Sequence, residues 1–390
     1  MAEWVKREYS KGEIDKYGAL LSPWWTRRGT PPEDLYHGYT VIQNWRSSHA
    51  LPLLTFRMGL SKRARRIEKN AIIAQRLKRF SSVMNKLIRE PTMKLSQMQD
   101  LGGCRAIMSS VDSVYQLASL YRRPLLDAES SLKCYDYIEN PKADGYRGIH
   151  IVGRYRAHVE KNELWNGHRI EIQLRSQLQH AFATAVETAT TFTRSKLKFG
   201  GGAPKWRRYF ALMGSAIAIR ECTKTVPGTP LRVDDLVGEL RELTRELKVR
   251  QRLRGWTDAL RTLPKRSTDN AKWLLLVLDV SGKTIKVTGF VDRKRASDEL
   301  AKIETSGDSE IDAVLVWVNS INELKNAYPN YYADTAAFLD ALDFSLAKGN
   351  LSGILQKNRL PKVSSWMPGN QWTPPRQLGL FPISVERTRK

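Results

Sequence analysis

Residues Arg169-Ile170-Glu171-Ile172-Gln173-Leu174-Arg175 alternate without interruption between polar and apolar side chains. A strand of this period turns Ile170, Ile172 and Leu174 to one side and Glu171, Gln173 and Arg175 to the other. The chain must therefore build a sheet with one apolar face covered, leaving three polar groups side by side on the opposite face. Solvated antiparallel sheets present such faces too, so the polar row stands open between a plain surface and a site.

Short apolar segments bounded by turns recur upstream, at Cys104–Met108, Cys134–Ile138 and Gly148–Tyr155. Helical patterns at Val111–Tyr121 and Gln177–Phe192 bracket them. Strands interleaved with helices predict an α+β (α/β) fold, a mixed β-sheet flanked by helices. The chain of 390 residues is longer than one core usually serves, and its patterns divide it. Residues 1–55 read as a helical preface, 56–222 as the sheet-bearing domain and 223–270 as a helical connector around Leu231–Leu263. Residues 271–350 read as a small C-terminal α+β domain and 351–390 as an aperiodic tail. In the small domain Leu274–Asp279 and Thr284–Phe290 flank a hairpin turn, Val280-Ser281-Gly282-Lys283. A helix at Asp298–Glu304, a strand at Ala313–Val318 and a helix at Thr335–Leu342 follow.

Lysine and arginine number 64 against 40 aspartates and glutamates, a net charge of +24 that suits a polyanionic partner. Eleven of the basic residues fall between Arg57 and Arg89, where Ala64, Ile67, Ala71 and Ala74 recur at helical spacing. A basic amphipathic helix is expected there, although such a run also serves simply as a solvated face. Hydrophobic residues make up 41% of the chain, enough for folded domains. Cys104, Cys134 and Cys222 are scattered and form neither a disulfide framework nor a zinc pair, which fits a reducing cytoplasm. The charged first residues lead into no apolar segment and the longest apolar runs are too short to cross a bilayer, so a cytoplasmic protein without a membrane partner is expected.

Four elements carry candidate chemistry. Asp100-Leu101-Gly102-Gly103-Cys104-Arg105 brings a carboxylate and a guanidinium to the start of a strand. With Glu171 on another strand, Asp100 can share a divalent metal, because Mg²⁺ takes few protein ligands beside substrate phosphates; an aspartate before a glycine turn also commonly caps that turn. Arg76 and Lys78, with Ser82 at a helix N-cap and Lys86 one turn on, group cations beside a helix N-terminus as a polyphosphate cradle. Pro141-Lys142-Ala143-Asp144-Gly145-Tyr146 predicts a tight turn from which Tyr146 projects to stack on a base, a core tyrosine being the rival reading. Lys142 and His150 flank it as phosphate or hydroxyl contacts. Ser281-Gly282-Lys283-Thr284 imitates the end of a P-loop, but Val277 stands where the upstream glycine belongs.

Taken in order, these elements resemble the synthetase domain of the RelA/SpoT family, which makes the alarmones (p)ppGpp. Arg76-x-Lys78-x-x-x-Ser82-x-x-x-Lys86 is similar to the family's ATP-phosphate segment, and Asp100-Leu-Gly-Gly-Cys-Arg105 to its metal-binding aspartate with an adenine-stacking arginine. Tyr137-Ile138-x-x-Pro141-Lys142-x-x-Gly145-Tyr146-x-x-Ile149-His150 resembles the acceptor loop, whose tyrosine stacks on guanine. Glu171-Ile-Gln173-Leu-Arg175, then His180, resembles the strand with the catalytic glutamate. Asp144 stands where the family commonly has asparagine, and Thr184 where it often has glutamate.

The resemblance covers about residues 60–195 and implies a nucleotidyltransferase-like sheet and an ATP-dependent pyrophosphokinase. Asp100 and Glu171 would be catalytic, holding Mg²⁺; Arg76, Lys78, Ser82, Lys86 and Arg105 would bind ATP. Lys142, Tyr146, His150, Gln173 and Arg175 would bind the acceptor, a GDP or GTP whose 3′-hydroxyl attacks the β-phosphorus and expels AMP. Glu171 would also take the hydroxyl proton. The high positive charge keeps two alternatives in view: a toxic relative that pyrophosphorylates the tRNA 3′ CCA end, and a non-catalytic RNA-binding protein. A C-terminal module of this kind would act as a brake or take an antitoxin or sensor ligand.

Overall fold

The alternating segment becomes the middle strand of a five-stranded sheet built from β1 (Ile72–Leu77), β2 (Gly102–Met108), β3 (Lys133–Asp136), β4 (Ile149–Arg154) and β5 (Arg169–Ser176). The computed structural model describes residues 4–25, 33–121, 132–197, 202–260, 273–279, 284–305, 311–317 and 335–357. The strand order is β1-β2-β5-β4-β3; β2 and β5 run parallel and the other neighbours antiparallel, so the sheet is mixed as the strand and helix pattern predicts.

Register sorts the side chains. Gly103 pairs with Glu171, Arg105 with Gln173, and on the outer strands Arg76 with Gly103 and His150 with Gln173. Because side chains alternate along each strand, Arg76, Arg105, His150, Glu171, Gln173 and Arg175 gather on one face. The other face carries Cys104, Ala106, Ile149, Ile151, Ile170, Ile172 and Leu174, all buried. It packs against Leu53, Leu60 and Ala64 of α3 (Ala50–Ile67), beside Val114 and Leu117 of α5 (Val111–Ser119). The polar row on β5 is thus fixed by burial of its apolar counterpart, since a one-residue slip would exchange the two faces.

The basic run from Arg57 to Arg89 is not one helix. α3 ends at Ile67, the chain crosses into β1, and α4 then begins at Phe80 and ends at Arg89. Ala71 and Ala74 keep helical spacing with Ala64 and Ile67, but Ile72 and Ile73 favour a strand and the whole of β1 pairs with β2. Ser82, expected at an N-cap, lies inside α4, whose N-cap position is Arg79.

The N-terminal helices α1 (Lys11–Trp24) and α2 (Glu33–Ser48) pack on α4 through Ile14, Leu21, Val41, Ile42 and Trp45 against Phe80, Val83, Met84 and Leu87. Ser10 and Glu13 close a reciprocal capping box at the start of α1.

Beyond β5 come α6 (Gln177–Leu197), α7 (Gly202–Arg220), α8 (Val233–Glu246) and α9 (Val249–Leu260). The helical connector expected around Leu231–Leu263 contains two helices, separated at Lys248 with φ 49°. A small antiparallel sheet follows, from β6 (Trp273–Asp279), β7 (Thr284–Phe290) and β8 (Ile311–Trp317) in the order β7-β6-β8, with α10 (Arg293–Thr305) packed on it through Leu300. The turn at 280–283 and the tail beyond 357 lie outside the described residues. β8 lies beside β1. Then α11 (Ala336–Leu346) and α12 (Asn350–Lys357) return to the helical core, where Phe338, Leu342 and Leu351 join Phe182, Tyr209, Phe210 and Leu240. Among the described residues no helix is long and apolar enough to cross a membrane.

Candidate active site

A pocket opens on the polar face where β1, β2 and β5 run side by side. Arg76, Lys78, Asp100, Arg105, Glu171 and Gln173 all line it, with Ala74 and Gly103 as its floor. These residues come from three strands, the residue that follows β1 and the turn before β2, so only the folded sheet assembles them. Lys86, nearly two helical turns into α4, reaches the same place: its Nζ donates to Asp100 Oδ1 at 2.9 Å while Lys78 Nζ donates to Oδ2 at 2.8 Å. Ser82 is not among the lining residues.

Next to the pocket, five side chains close a ring of hydrogen bonds. Arg175 Nε donates to the Tyr146 hydroxyl at 3.2 Å, and that hydroxyl meets His150 Nε2 at 2.6 Å. His150 Nδ1 lies 2.9 Å from Glu171 Oε1, Gln173 Nε2 donates to Glu171 Oε2 at 2.7 Å, and Arg175 Nη2 donates to Gln173 Oε1 at 2.9 Å. The direction of every bond follows from its ends. Arginine only donates and a carboxylate only accepts, so His150 carries its proton on Nδ1 and the tyrosine hydroxyl donates to Nε2.

Tyr146 does not project from its loop. It is 5% exposed, with the Arg175 guanidinium 5.1 Å and the Lys142 ammonium 5.2 Å from its ring centre. Tyr137 and His150 meet it edge-on. The expected tight turn is present: Gly145 N donates to Lys142 O, and Asp144 Oδ1 accepts from Tyr146 N at 3.0 Å. The ring packs inward against Tyr137 and Ala183, and the glycine before it meets the helix above. Gly145 has φ 91°, and a Cβ there would lie 2.6 Å from the carbonyl oxygen of Phe210 on α7, so the loop is pressed onto that helix. Arg147, next in the chain, is buried and donates to Thr223 Oγ1 at 2.7 Å, with Glu221 Oε2 at 3.5 Å.

Electrostatics favours ionised carboxylates in the pocket. Burial opposes charge on Asp100, but Lys78 and Lys86 hold its carboxyl well below the usual range. Burial likewise opposes charge on Glu171, and His150, followed by Gln173, brings it below the usual range. Burial pushes His150 down as well, against the pull of Glu171. Lys142 is lowered by burial.

Glu187, which sequence reasoning passed over, belongs to the same site. It lies on α6, one turn beyond Thr184, with Oε1 4.0 Å from Arg76 Nη2. Burial raises its pKa and the charges of Arg76, Arg105, Arg79 and Arg175 lower it further than that, so it stays ionised among four arginines. The spacing His180, Thr184, Glu187 along one helical face was the available signal.

For a metal, the donor set is two hard carboxylates facing a pocket rimmed by cations. That set fits Mg²⁺, which takes one or two carboxylates and completes its shell with phosphate oxygens and water. Among the described residues no three His, Cys, Asp or Glu side chains come together as a protein-only metal site. Both Asp100 oxygens are occupied by lysines, so a cation there requires the lysines to turn to another anion.

Residues 75–196 match the family described as "Region found in RelA / SpoT proteins". This segment, under a third of the chain, is similar to that region. Within it, 82 residues are 30% identical to GTP pyrophosphokinase YwaC of Bacillus subtilis (strain 168), a match spanning 20% of this chain and 38% of that protein. Among solved structures, a GTP pyrophosphokinase family protein from Streptococcus pneumoniae is similar at 19% identity and a TM-score of 0.36, over 53% of this chain and 96% of the other. Small alarmone synthetase 1 from Bacillus subtilis, bound to its product pppGpp, is similar at 22% identity and a TM-score of 0.30, over 38% and 81%. The matched segment contains the six charged and polar lining residues Arg76, Lys78, Asp100, Arg105, Glu171 and Gln173, together with the whole hydrogen-bonded ring. The helix that presses on its 140–148 loop, α7, lies outside it.

Proposed function

We propose that this chain is an ATP-dependent pyrophosphokinase that transfers the β,γ-pyrophosphate of ATP to the 3′-hydroxyl of GDP or GTP. The observation that carries this reading is the convergence of Arg76, Lys78, Asp100, Arg105 and Glu171 on one pocket, with the Tyr146 loop beside it. The RelA/SpoT region and the likeness to a GTP pyrophosphokinase support it.

In this reading Arg76 and Arg105, from adjacent strands, stack on the two faces of adenine, a role suited to planar guanidinium groups. Lys78 and Lys86 leave Asp100 for the ATP phosphates, which frees the aspartate. Asp100 and Glu171 would then hold Mg²⁺, which when bound neutralises charge on the phosphate oxygens as AMP departs. Glu171, ionised and close to the acceptor side, takes the proton of the attacking hydroxyl. Tyr146 stacks on the acceptor base, while Lys142 and His150 contact its ribose or phosphates.

The net charge of +24 favours a second reading, transfer to the tRNA 3′ end. Five of those basic residues, Lys62, Arg63, Arg65, Arg66 and Lys69, lie on or just after α3, which covers the sheet face opposite the pocket. They cannot guide an RNA end into it directly. Incubating the full chain with Mg²⁺ and γ-labelled ATP, with GDP, GTP and bulk tRNA offered separately, distinguishes the readings. Label on the guanosine nucleotides, abolished by Glu171→Gln, is the expected result. Label on tRNA alone would move the assignment to the tRNA end, and no Glu171-dependent label on any acceptor would refute the enzyme.

A further inference from the structure

The ring Arg175–Tyr146–His150–Glu171–Gln173 has a consequence for the acceptor, given that the reading above is correct. Tyr146 is the ring on which the acceptor base would stack, yet the Arg175 guanidinium already lies over it at 5.1 Å and the Lys142 ammonium at 5.2 Å. His150, whose Nδ1 bonds Glu171 at 2.9 Å, offers Nε2 as its accepting atom, yet the Tyr146 hydroxyl fills it at 2.6 Å. The protein's own groups therefore sit in both stations: a planar cation on the tyrosine in place of a base, and a hydroxyl on the histidine in place of the acceptor's hydroxyl.

We propose that Arg175 is a latch rather than an acceptor ligand: it holds Tyr146 shut against His150, and the acceptor binds by displacing the guanidinium from the ring and the tyrosine hydroxyl from the imidazole. Arg175 suits this role because it is fastened at two points, through Nε to Tyr146 and through Nη2 to Gln173, which is itself bonded to Glu171. The latch is thereby connected to the carboxylate of the reaction. When the hydroxyl leaves His150, the imidazole keeps its Nδ1 proton on Glu171 and presents a free Nε2 toward the incoming hydroxyl. Acceptors without a planar base have nothing to exchange for the guanidinium and leave the ring closed.

A ligand that binds only the open form has its apparent affinity reduced by the closed fraction, so loosening the latch strengthens binding. This sign separates a latch from a ligand. Arg175→Met removes the guanidinium; Tyr146→Phe removes the plugging hydroxyl and keeps the stacking ring. Binding of GDP to the full chain would be measured by calorimetry in the presence of Mg²⁺ and α,β-methylene ATP, whose bridge cannot be cleaved. Hydrogen exchange of the 137–148 backbone, with melting curves to confirm folding, supplies a reading that needs no ligand.

The expected result is faster exchange in that loop and GDP binding about three- to tenfold tighter in both variants, the size of one modest hydrogen bond lost from the closed form. Weaker GDP binding in both variants would make Arg175 and the hydroxyl acceptor ligands and overturn the latch. Unchanged loop exchange in both would overturn it as well. Faster exchange with no GDP bound by any form, wild type included, would uphold the latch and refute the GDP reading instead.

Discussion

Gly214 on α7 faces Gly145 across so short a gap that a Cβ at position 214 would lie 2.8 Å from both the Gly145 Cα and its carbonyl oxygen. Backbone rests on backbone there, and neither side can yield as a flexible side chain would. Gly214→Ala would gain helix propensity of about 1 kcal/mol, yet it drives α7 away from the loop at an overpacking cost of about 1–3 kcal/mol. The expected outcome is a lower melting temperature together with a raised KM for the acceptor and an unchanged KM for ATP. Equal effects on both substrates would show that the contact stabilises the domain without positioning the loop.

Asp100 stands in for polyphosphate when it engages Lys78 and Lys86 on separate oxygens. Asp100→Asn removes this internal competitor, so metal-free α,β-methylene ATP should bind several-fold tighter while transfer is lost. Calorimetry in EDTA checks the first half and the labelled-ATP assay the second. Weaker metal-free binding would mean that the aspartate orients the two lysines rather than competing for them.

Glu187 makes a different kind of prediction, because its carboxylate pairs with Arg76 and feels the charge of Arg105, the two arginines assigned to adenine, ahead of that of Arg175. Glu187→Gln removes this charge from beside Arg76 and should raise the ATP KM about three- to tenfold, the equivalent of one charge-assisted contact weakened in a half-buried setting, with the acceptor KM unchanged. Steady-state kinetics with each substrate varied in turn decides it. A change confined to the acceptor KM would place Glu187 in the wrong half of the site.

The residues behind these predictions differ in how far the sequence revealed them. Glu171, Gln173 and Arg175 were legible as one row because strict alternation leaves a strand no other choice, and Asp100 and Arg105 were legible through their glycine pair. β1 was hidden: its basic neighbours and the spacing of Ala64, Ile67, Ala71 and Ala74 continue a helical pattern, and only pairing with β2 overrides it. The inward turn of Tyr146 was hidden for another reason. The ring packs with Tyr137 and Ala183, and the loop carrying it rests through Gly145 on Phe210 and Gly214, more than sixty residues downstream, an approach that leaves no local mark. Glu187 lay in a helix whose apolar pattern drew attention to its core face.

The last prediction concerns two histidines that take no part in the site. His49 and His168 are both buried, 4.6 Å apart between ring centres. His49 donates from Nδ1 to Trp45 O at 2.8 Å, and His168 bonds Trp165 O and the Ser48 hydroxyl at 2.7 and 2.9 Å. Burial, then the neighbouring His168, pushes His49 down to about 3; burial lowers His168 to about 4 despite its bond to Trp165, with Arg7 and Lys11 adding to the fall. An unfolded histidine takes up its proton near pH 6.5, so below that pH the unfolded chain binds protons that the folded chain refuses. The stability held by this pair is therefore complete above about pH 7 and drains as the pH falls toward 4 and then 3, each residue contributing up to about 1.4 kcal/mol per pH unit. Urea unfolding at pH 7.5 and pH 5.5 should show a clear loss in the wild type and a smaller one in His49→Gln. If the two proteins lose stability in parallel, the acid sensitivity resides in other groups and the buried pair is inert.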